Sequence, residues 1–253
     1  MSNDEFSNAM DVALNSYSIP SEFGEGSSKL TITLDEFEKS VFLTKAQDEI
    51  FLNLYNGKNP YGDYFEATEE LRRYLDNLVR TESAPDSTLL LETSLSNPLS
   101  KNSKGYSLPS DLAFITLEQI GYSKTPKDCD KDENGGINLG AKVYPVTQDE
   151  YARVKDNPFR GPTRYKVLRI DYGERTVELI PADGYEIGSY LVKYLKKPNP
   201  IVLINFSSDL EIHGTHTKTE CEMDEVLHNL ILDRAVALAV QSKTIGANNK
   251  TRE

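Results

Sequence analysis

The chain has 253 residues, a length that suits one large domain or two small ones, and it carries a formal net charge of −12 at pH 7. Such an acidic balance argues against a protein that grips nucleic-acid phosphates, although an acidic wall lets a polyanion pass without trapping it. No apolar run approaches the roughly 20 residues that cross a bilayer, and the polar N-terminus lacks the basic and apolar segments of a signal peptide.

The first third of the chain predicts helices. A short helix is predicted around Glu5–Tyr17. Asp35 opens a longer helix, in which apolar residues recur at three- and four-residue spacing until Asn56-Gly57 provides a C-cap signal. A further helix is predicted over residues 65–80, and the two together indicate a helical hairpin.

The middle of the chain predicts shorter elements. Residues 88–95 have the pattern of a strand, and residues 113–120 are predicted to form a short helix after a Leu-Pro opening. Thr147 and Glu150 stand at the spacing of a capping box, which predicts the start of a helix that ends near Asp156.

Residues 165–195 predict β-structure. The stretches 165–172 and 175–180 alternate between apolar and polar residues, and Gly173-Glu174 joins them as a tight turn, which indicates a hairpin. A further strand is predicted over residues 185–195, with prolines at its end. These strands form a small antiparallel sheet between helices.

The last helix is predicted over Thr219–Lys243. Thr219 and Glu222 have capping-box spacing, and acidic residues fill the first turns, where they favour the helix dipole. Apolar residues from Val226 to Val240 cover nearly the whole circumference, and a helix of that kind is normally buried on several sides. Elements from earlier in the chain must therefore pack against this helix.

These elements predict an α+β fold, namely a helical bundle that the C-terminal helix closes, with a small antiparallel sheet inserted. Residues 1–34 are predicted to form an N-terminal arm. Residues 35–253 are predicted to form the helical domain, with the inserted β element at about 137–216.

An Asp/Asn-rich loop near the middle of the chain has the spacing of a calcium site. Positions one, three, five, six and eight of a calcium loop are occupied by Asp130, Asp132, Asn134, Gly135 and Ile137. Position twelve is Ala141, where a bidentate Glu should complete the coordination. The missing ligand favours a polar turn, and a calcium-dependent binding module is the alternative function.

The remaining candidates for chemistry are few. His213 and His216 could share a metal only with a third ligand, which the sequence does not identify. A hydrolase with an unrecognised site, for example among Asp128, Asp130, Asp132, His213 and His216, is a further hypothesis. A structural or interface role is favoured for His228. Cys129 and Cys221 stand far apart and indicate neither a disulfide framework nor a zinc site.

Nucleotide and nucleophile motifs are also missing. The sequence contains no Gly-x-Ser-x-Gly elbow, Walker loop or glycine-rich dinucleotide turn. We therefore predict a protein that is not an enzyme, with no catalytic, cofactor-binding or metal-binding residues and no cofactor.

Three stretches in the C-terminal half form a recognisable combination. They are DNPFRGP at Asp156–Pro162, Y-x-KKPxPI at Tyr194–Ile201, and E-x-D-E-x-LH-x-x-I-x-x-RAV-x-LA at Glu222–Ala239. With them the chain resembles virion proteins of short-tailed bacteriophages, most of all the ring or adaptor proteins of the crAss-like phages.

The resemblance implies a structural protein of the virion, assembled in the host cytoplasm. It implies a homo-oligomeric ring of 12 copies beneath the portal, built from a bundle of helices with an inserted β element. The implied partners are the portal protein and other ring or tail proteins. The resemblance also implies that genomic DNA passes through the lumen without sequence-specific binding and that no membrane is involved.

Overall fold

A computed structural model describes residues 1–17, 19–20, 29–30, 32–58, 63–126, 139–207 and 209–250. The described helices are α1 (Asn3–Ser16), α2 (Glu36–Tyr55), α3 (Glu69–Tyr74), α4 (Gln148–Val154) and α5 (Glu225–Lys250). The described strands are β1 (Ile19–Pro20), β2 (Lys29–Leu30), β3 (Val79–Ala84), β4 (Leu91–Thr93), β5 (Lys104–Ser107), β6 (Leu112–Lys124), β7 (Gly140–Pro145), β8 (Lys166–Gly173), β9 (Thr176–Ile180) and β10 (Glu186–Lys196). One 3-10 turn, Asp76–Leu78, precedes β3.

The chain divides into two compact units. The helical unit comprises Met1–Leu78 and Pro198–Glu253, and the sheet unit comprises Val79–Lys197. The predicted arm over residues 1–34 falls partly outside the described residues, and it stays a prediction.

The helical unit is built on three long helices, of which two begin with a complete capping box. Asp35 accepts a hydrogen bond from the Glu38 amide at the start of α2, and Glu38 reaches back to the Asp35 amide, so the capping box orders the first turn. Ser2 and Glu5 make the same arrangement at the start of α1. The predictions of a helix near Glu5–Tyr17 and of another from Asp35 are therefore confirmed.

The core of this unit lies where α1, α2 and α5 meet. Each helix presents apolar side chains at three- and four-residue spacing, and burial of that face is the main source of its stability. The fully or almost fully buried side chains include Phe6, Met10, Leu14, Leu43, Ile50, Leu54, Leu227, Ile231 and Ala235.

The C-terminal helix differs from its prediction at its start. α5 begins at Glu225, because Thr219 instead forms an isolated bridge with Val202 in extended backbone. Glu222 accepts hydrogen bonds from the Asn199 backbone and side chain, and it does not cap the helix. Asp224 provides the acceptor at the helix start.

The sheet unit contains one sheet of eight described strands, which we call the large sheet. Its strands follow the order β3-β10-β6-β7-β8-β9-β5-β4, antiparallel throughout except for the β7–β8 pair. Tyr106 on β5 and Tyr190 on β10 lie five places apart in that order, yet their ring centroids are 4.9 Å apart. The sheet must therefore curl around this contact, and it forms a nearly closed barrel.

Alternation along the strands builds the interior of the barrel. On β10 the buried residues Tyr190, Val192 and Tyr194 point to one side, as a period of two requires. The opposite face of β8 and β9 is covered by α4, where Val154 packs against Leu168.

The predicted fold class was wrong. The chain contains a large, nearly closed sheet of eight described strands together with a separate helical unit, and it is not a helical bundle with a small inserted sheet. Residues 113–120 lie inside β6 and not in a helix. The helix predicted over 65–80 stops early, because α3 ends at Tyr74 and Val79 already pairs with Leu195 in the sheet.

Candidate functional site

An apolar groove opens on the helical unit between α2, α3 and α5. Its volume is about 450 Å³, and its apolar lining is formed by Ile50, Leu54, Tyr74, Val226, Leu227 and Leu230. Two of these side chains remain largely uncovered, since Val226 is 66% exposed and Leu230 47% exposed. We call this feature the α2–α5 groove. Because α5 keeps this face uncovered, the prediction that the helix is buried on several sides holds only in part.

A charged pair holds the two long helices together beside the groove. Arg234 on α5 donates two hydrogen bonds to the Glu49 carboxylate on α2, each 2.8 Å long. The forked geometry fixes both side chains. This ion pair therefore joins α2 and α5 at one wall of the groove.

A stripe of polar side chains on α2 holds the segment that leads toward α5. Gln47 donates to the Asn199 carbonyl at 2.7 Å, and Thr44 accepts from the Ile201 amide at 3.1 Å. Ser40 accepts from the Leu203 amide, also at 3.1 Å. These residues stand at i, i+4 and i+7, so they lie on one face of the helix. Their side chains form hydrogen bonds with the backbone of an extended segment, as the backbone of a neighbouring β-strand would.

A rigid turn on the sheet unit displays an uncovered aromatic ring. Phe159 is 91% exposed, although the turn beneath it is closely hydrogen-bonded. The Asn157 side chain accepts from the Phe159 amide at 2.9 Å and from the Arg160 amide at 3.2 Å. At Gly161 a Cβ would lie 2.7 Å from the Asn157 carbonyl oxygen, so only glycine fits without a shift. We call residues 156–162 the Phe159 turn.

A buried charge cluster lies inside the barrel. Glu118 on β6 accepts from Arg169 on β8 at 2.5 Å and from the Tyr190 hydroxyl on β10. Burial opposes the charge on Arg169, but the hydrogen bond and charge of Glu118 outweigh it and raise the pKa of Arg169. Burial and the Glu118 charge both raise the pKa of Tyr190, which stays a neutral donor.

The similarity to known proteins extends over almost the whole chain. Residues 1–251 match a family model described as phage tail ring protein 3/4. The chain belongs to this family. It is also similar to Ring protein 3 of Bacteroides phage crAss001, with 42% identity over 99% of this chain and 100% of that protein. Ring protein 4/5 of the same phage is 32% identical over 94% of this chain and 92% of that protein.

Membership of the ring family confirms the resemblance to phage ring proteins that was inferred from the three C-terminal stretches. The chain is a structural ring protein of a crAss-like phage. Asn199 and Glu222, from two of those stretches, bind one another. The third stretch is the Phe159 turn.

The calcium-loop candidates, together with the hydrolase candidate Asp128, lie mostly outside the described residues. Asp128, Asp130, Asp132, Asn134, Gly135 and Ile137 all fall in the range 127–138, of which the structure describes nothing. Ala141 is buried within β7. Among the residues that the structure describes, no three His, Cys, Asp or Glu side chains converge as metal ligands.

The histidines of this ring protein have other surroundings. His213 has a φ of 50° at a tight turn that an Ile212–Thr215 bridge closes, and His216 is exposed nearby. His228 is buried against the ring of Phe6, where its Nε2 lies 3.2 Å from the Met223 carbonyl oxygen.

Cys221 is a free thiol, and burial raises its pKa to about 11, which makes it a poor nucleophile at neutral pH. Cys129 lies outside the described residues. In the described part of the chain no helix is both long and apolar enough to cross a membrane.

The sequence interpretation missed the polar stripe on α2 and the cluster around Glu118. The stripe has a readable signal, because Ser40, Thr44 and Gln47 repeat at helical spacing beside apolar core positions. Glu118 gives no such signal, since an acidic residue in a strand pattern ordinarily indicates the solvent face.

Proposed function

We propose that this protein forms a closed ring of 12 copies in the head-to-tail connector of the virion, below the portal. There it seals the joint and lines the conduit for DNA, with the portal and other ring or tail proteins as its neighbours. This function is structural and requires no catalytic turnover.

The α2–α5 groove is the observation that carries the proposal. Val226 and Leu230 expose apolar surface beside a preformed cavity of about 450 Å³. Contiguous apolar surface of this kind on a folded protein indicates an interaction site. A ring requires two different complementary surfaces on every copy, and the groove supplies one of them.

The charge balance supports the conduit. A net charge of −12 gives a ring of 12 copies a strongly acidic character, which repels the phosphates of passing DNA. A basic lining would bind the same phosphates and slow the DNA.

The ring is tested by mass photometry and negative-stain electron microscopy of the purified protein, alone and mixed with its portal. We expect closed rings, formed by the protein alone or after contact with the portal. A protein that stays monomeric even in the presence of its portal contradicts the proposal.

A further inference from the structure

Two features of the described residues leave apolar surface uncovered, namely the α2–α5 groove and the Phe159 turn. The groove is a recess with apolar walls, and the turn is a protrusion that carries an uncovered ring. We propose that the Phe159 turn of one copy inserts its ring into the α2–α5 groove of the next copy. This inference rests on the proposed ring and names the contact that joins its subunits.

The Phe159 turn is built to present its ring in one position. Its backbone is held by Asn157, and Lys166 donates to the Arg160 carbonyl oxygen at 2.5 Å. A phenyl ring that is 91% exposed costs free energy in an isolated chain and gains by burial. Because the turn is already ordered, little conformational entropy is lost when the ring binds.

The groove offers the complementary shape and chemistry. Its volume of about 450 Å³ exceeds that of a phenyl side chain, and its lining includes Ile50, Leu54 and Leu227. Aromatic residues in well-packed apolar pockets are the usual anchors of protein interfaces.

The charges around the two features also match. Residues 153–166 contain five basic residues and one acidic residue, a net charge of +4 in a chain whose total is −12. Residues 219–234, which run from the segment before α5 to the Arg234 that lines the groove, contain five acidic residues and one basic residue, a net charge of −4. Opposite local charges favour the approach of one copy to the other, although two whole copies repel each other.

The second copy is favoured over DNA as the partner of the basic turn. A phosphate backbone would use the basic side chains but would leave the phenyl ring of Phe159 uncovered, and the groove would also remain empty. A ring of identical subunits needs a protrusion and a recess on the same chain, and this chain has both.

A mixing experiment tests the contact directly. Phe159→Ala removes the ring and leaves the groove intact, whereas Val226→Glu closes the groove and leaves the turn intact. Val226 is the second residue of α5, where a Glu favours the positive end of the helix dipole, so this variant is expected to fold. We expect each variant alone to associate about 30-fold more weakly or worse than the natural chain.

An equal mixture of the two variants distinguishes this contact from a general loss of association. The intact turn of one variant can enter the intact groove of the other, so we expect mass photometry to show heterodimers and no rings. We expect the double variant Phe159→Ala/Val226→Glu to form neither heterodimers nor rings. Matched controls are Leu99→Ala on the sheet unit and Leu52→Glu on α2, both exposed apolar residues outside the turn and groove, and both should still form rings.

A photo-crosslink locates the contact in assembled rings. With p-benzoylphenylalanine in place of Phe159, and with light and heavy isotope copies mixed, we expect crosslinks from position 159 to residues 226–234 of a different copy. Rings that form normally with crosslinks to another region, to another protein or to DNA overturn the inference and leave the ring proposal standing. The absence of any ring contradicts the ring proposal itself.

The turn can be loosened without removing its ring. Asn157→Ala deletes the acceptor that orders the Phe159 and Arg160 amides, whereas Asn157→Asp keeps an acceptor in the same place. We expect ring formation to weaken in the first variant and to persist in the second. Equal behaviour of both variants would show that the order of the turn is irrelevant to assembly.

Discussion

At the scale of single residues, the cluster around Glu118 makes the sharpest prediction. Arg169→Met removes the guanidinium that neutralises a buried carboxylate, and such a loss typically costs about 3–5 kcal/mol of stability. We therefore expect the free energy of unfolding in urea to fall by about that amount, because Glu118 is left without its cationic partner inside the barrel.

A paired replacement separates the buried charge from the packing around it. Glu118→Gln/Arg169→Met carries no charge at either position, and its amide can still accept from the Tyr190 hydroxyl. We expect this double variant to recover most of the lost stability. A double variant as unstable as Arg169→Met alone would show that packing, and not charge, decides the stability of the cluster.

His228 predicts a particular dependence of stability on pH. Burial lowers its pKa, the positive N-terminal amine 2.5 Å from Nδ1 lowers it further, and Met223, Glu225 and Asp224 oppose the shift. The native state therefore binds fewer protons at this site than the unfolded chain, in which the pKa of a histidine is about 6.5. This stabilisation is present above that pH and is lost as the pH falls below it.

The His228 contribution is measured by urea unfolding between pH 7 and pH 5. We expect the natural chain to lose more stability over this range than the variant His228→Gln, which has no proton to take up. The variant His216→Gln, altered at an exposed residue of the same unit, should follow the natural chain. Identical slopes for the natural chain and His228→Gln would contradict the prediction.

At the scale of elements, the sequence correctly predicted those helices, turns and strands that depend on residues close together in the chain. The helix starts after Asp35 and Thr147, the tight turn after Gly173, and the alternation in β10 all formed as predicted. Each depends on neighbours within a few residues, which the sequence displays directly. The Phe159 turn belongs to the same class, because its asparagine, prolines and glycine indicate a rigid turn.

The elements that were mispredicted depend on distant partners. In β6 the side chain that points inward is Glu118, while Leu117 points outward, so the apolar pattern of a strand is inverted there. The inversion is offset by Arg169, 51 residues away, which no local pattern reveals. β3 is likewise recognisable as a strand only through its pairing with β10.

The polar stripe on α2 predicts a local weakness when one hydroxyl is removed. Thr44→Val keeps the shape of the side chain but leaves the buried Ile201 amide without its acceptor, at a cost of about 1–3 kcal/mol. We expect faster amide hydrogen exchange in residues 199–203 together with a lower free energy of unfolding.

Thr44→Ser is the matched control for the stripe. It keeps the hydroxyl and loses only a methyl group, so exchange at Ile201 should remain slow even if the global stability falls slightly. If both variants accelerate exchange at Ile201 equally, the methyl packing and not the hydrogen bond holds the segment.

At the scale of the whole molecule, the sheet unit is an insertion whose two ends meet. Val79 begins β3 and pairs directly with Leu195 near the end of β10. Partners in antiparallel strands lie about 5 Å apart, so the chain leaves the sheet unit close to where it entered. Such neighbouring ends are typical of domains that can be inserted or removed as a block.

The helical unit has what it needs to fold without the insertion. Its core is formed by α1, α2 and α5, and the segment after Pro198 is bound to α2 by Thr44 and Gln47 and to Thr219 by a backbone bridge. We therefore expect a chain in which residues 79–197 are replaced by a short Gly/Ser linker to fold into a helical protein. The far-ultraviolet circular dichroism should be helical, and thermal unfolding should be cooperative.

The chain that lacks residues 79–197 also allows folding to be measured separately from assembly. It keeps the α2–α5 groove but lacks the Phe159 turn, so we expect a monomer that binds the separately produced fragment 79–197 through that turn. Phe159→Ala in the fragment should abolish the binding, whereas Leu99→Ala should leave it unchanged. A helical unit that melts without cooperativity would show that the insertion is needed for folding, and a helical unit that forms rings alone would assign the subunit contact to other surfaces.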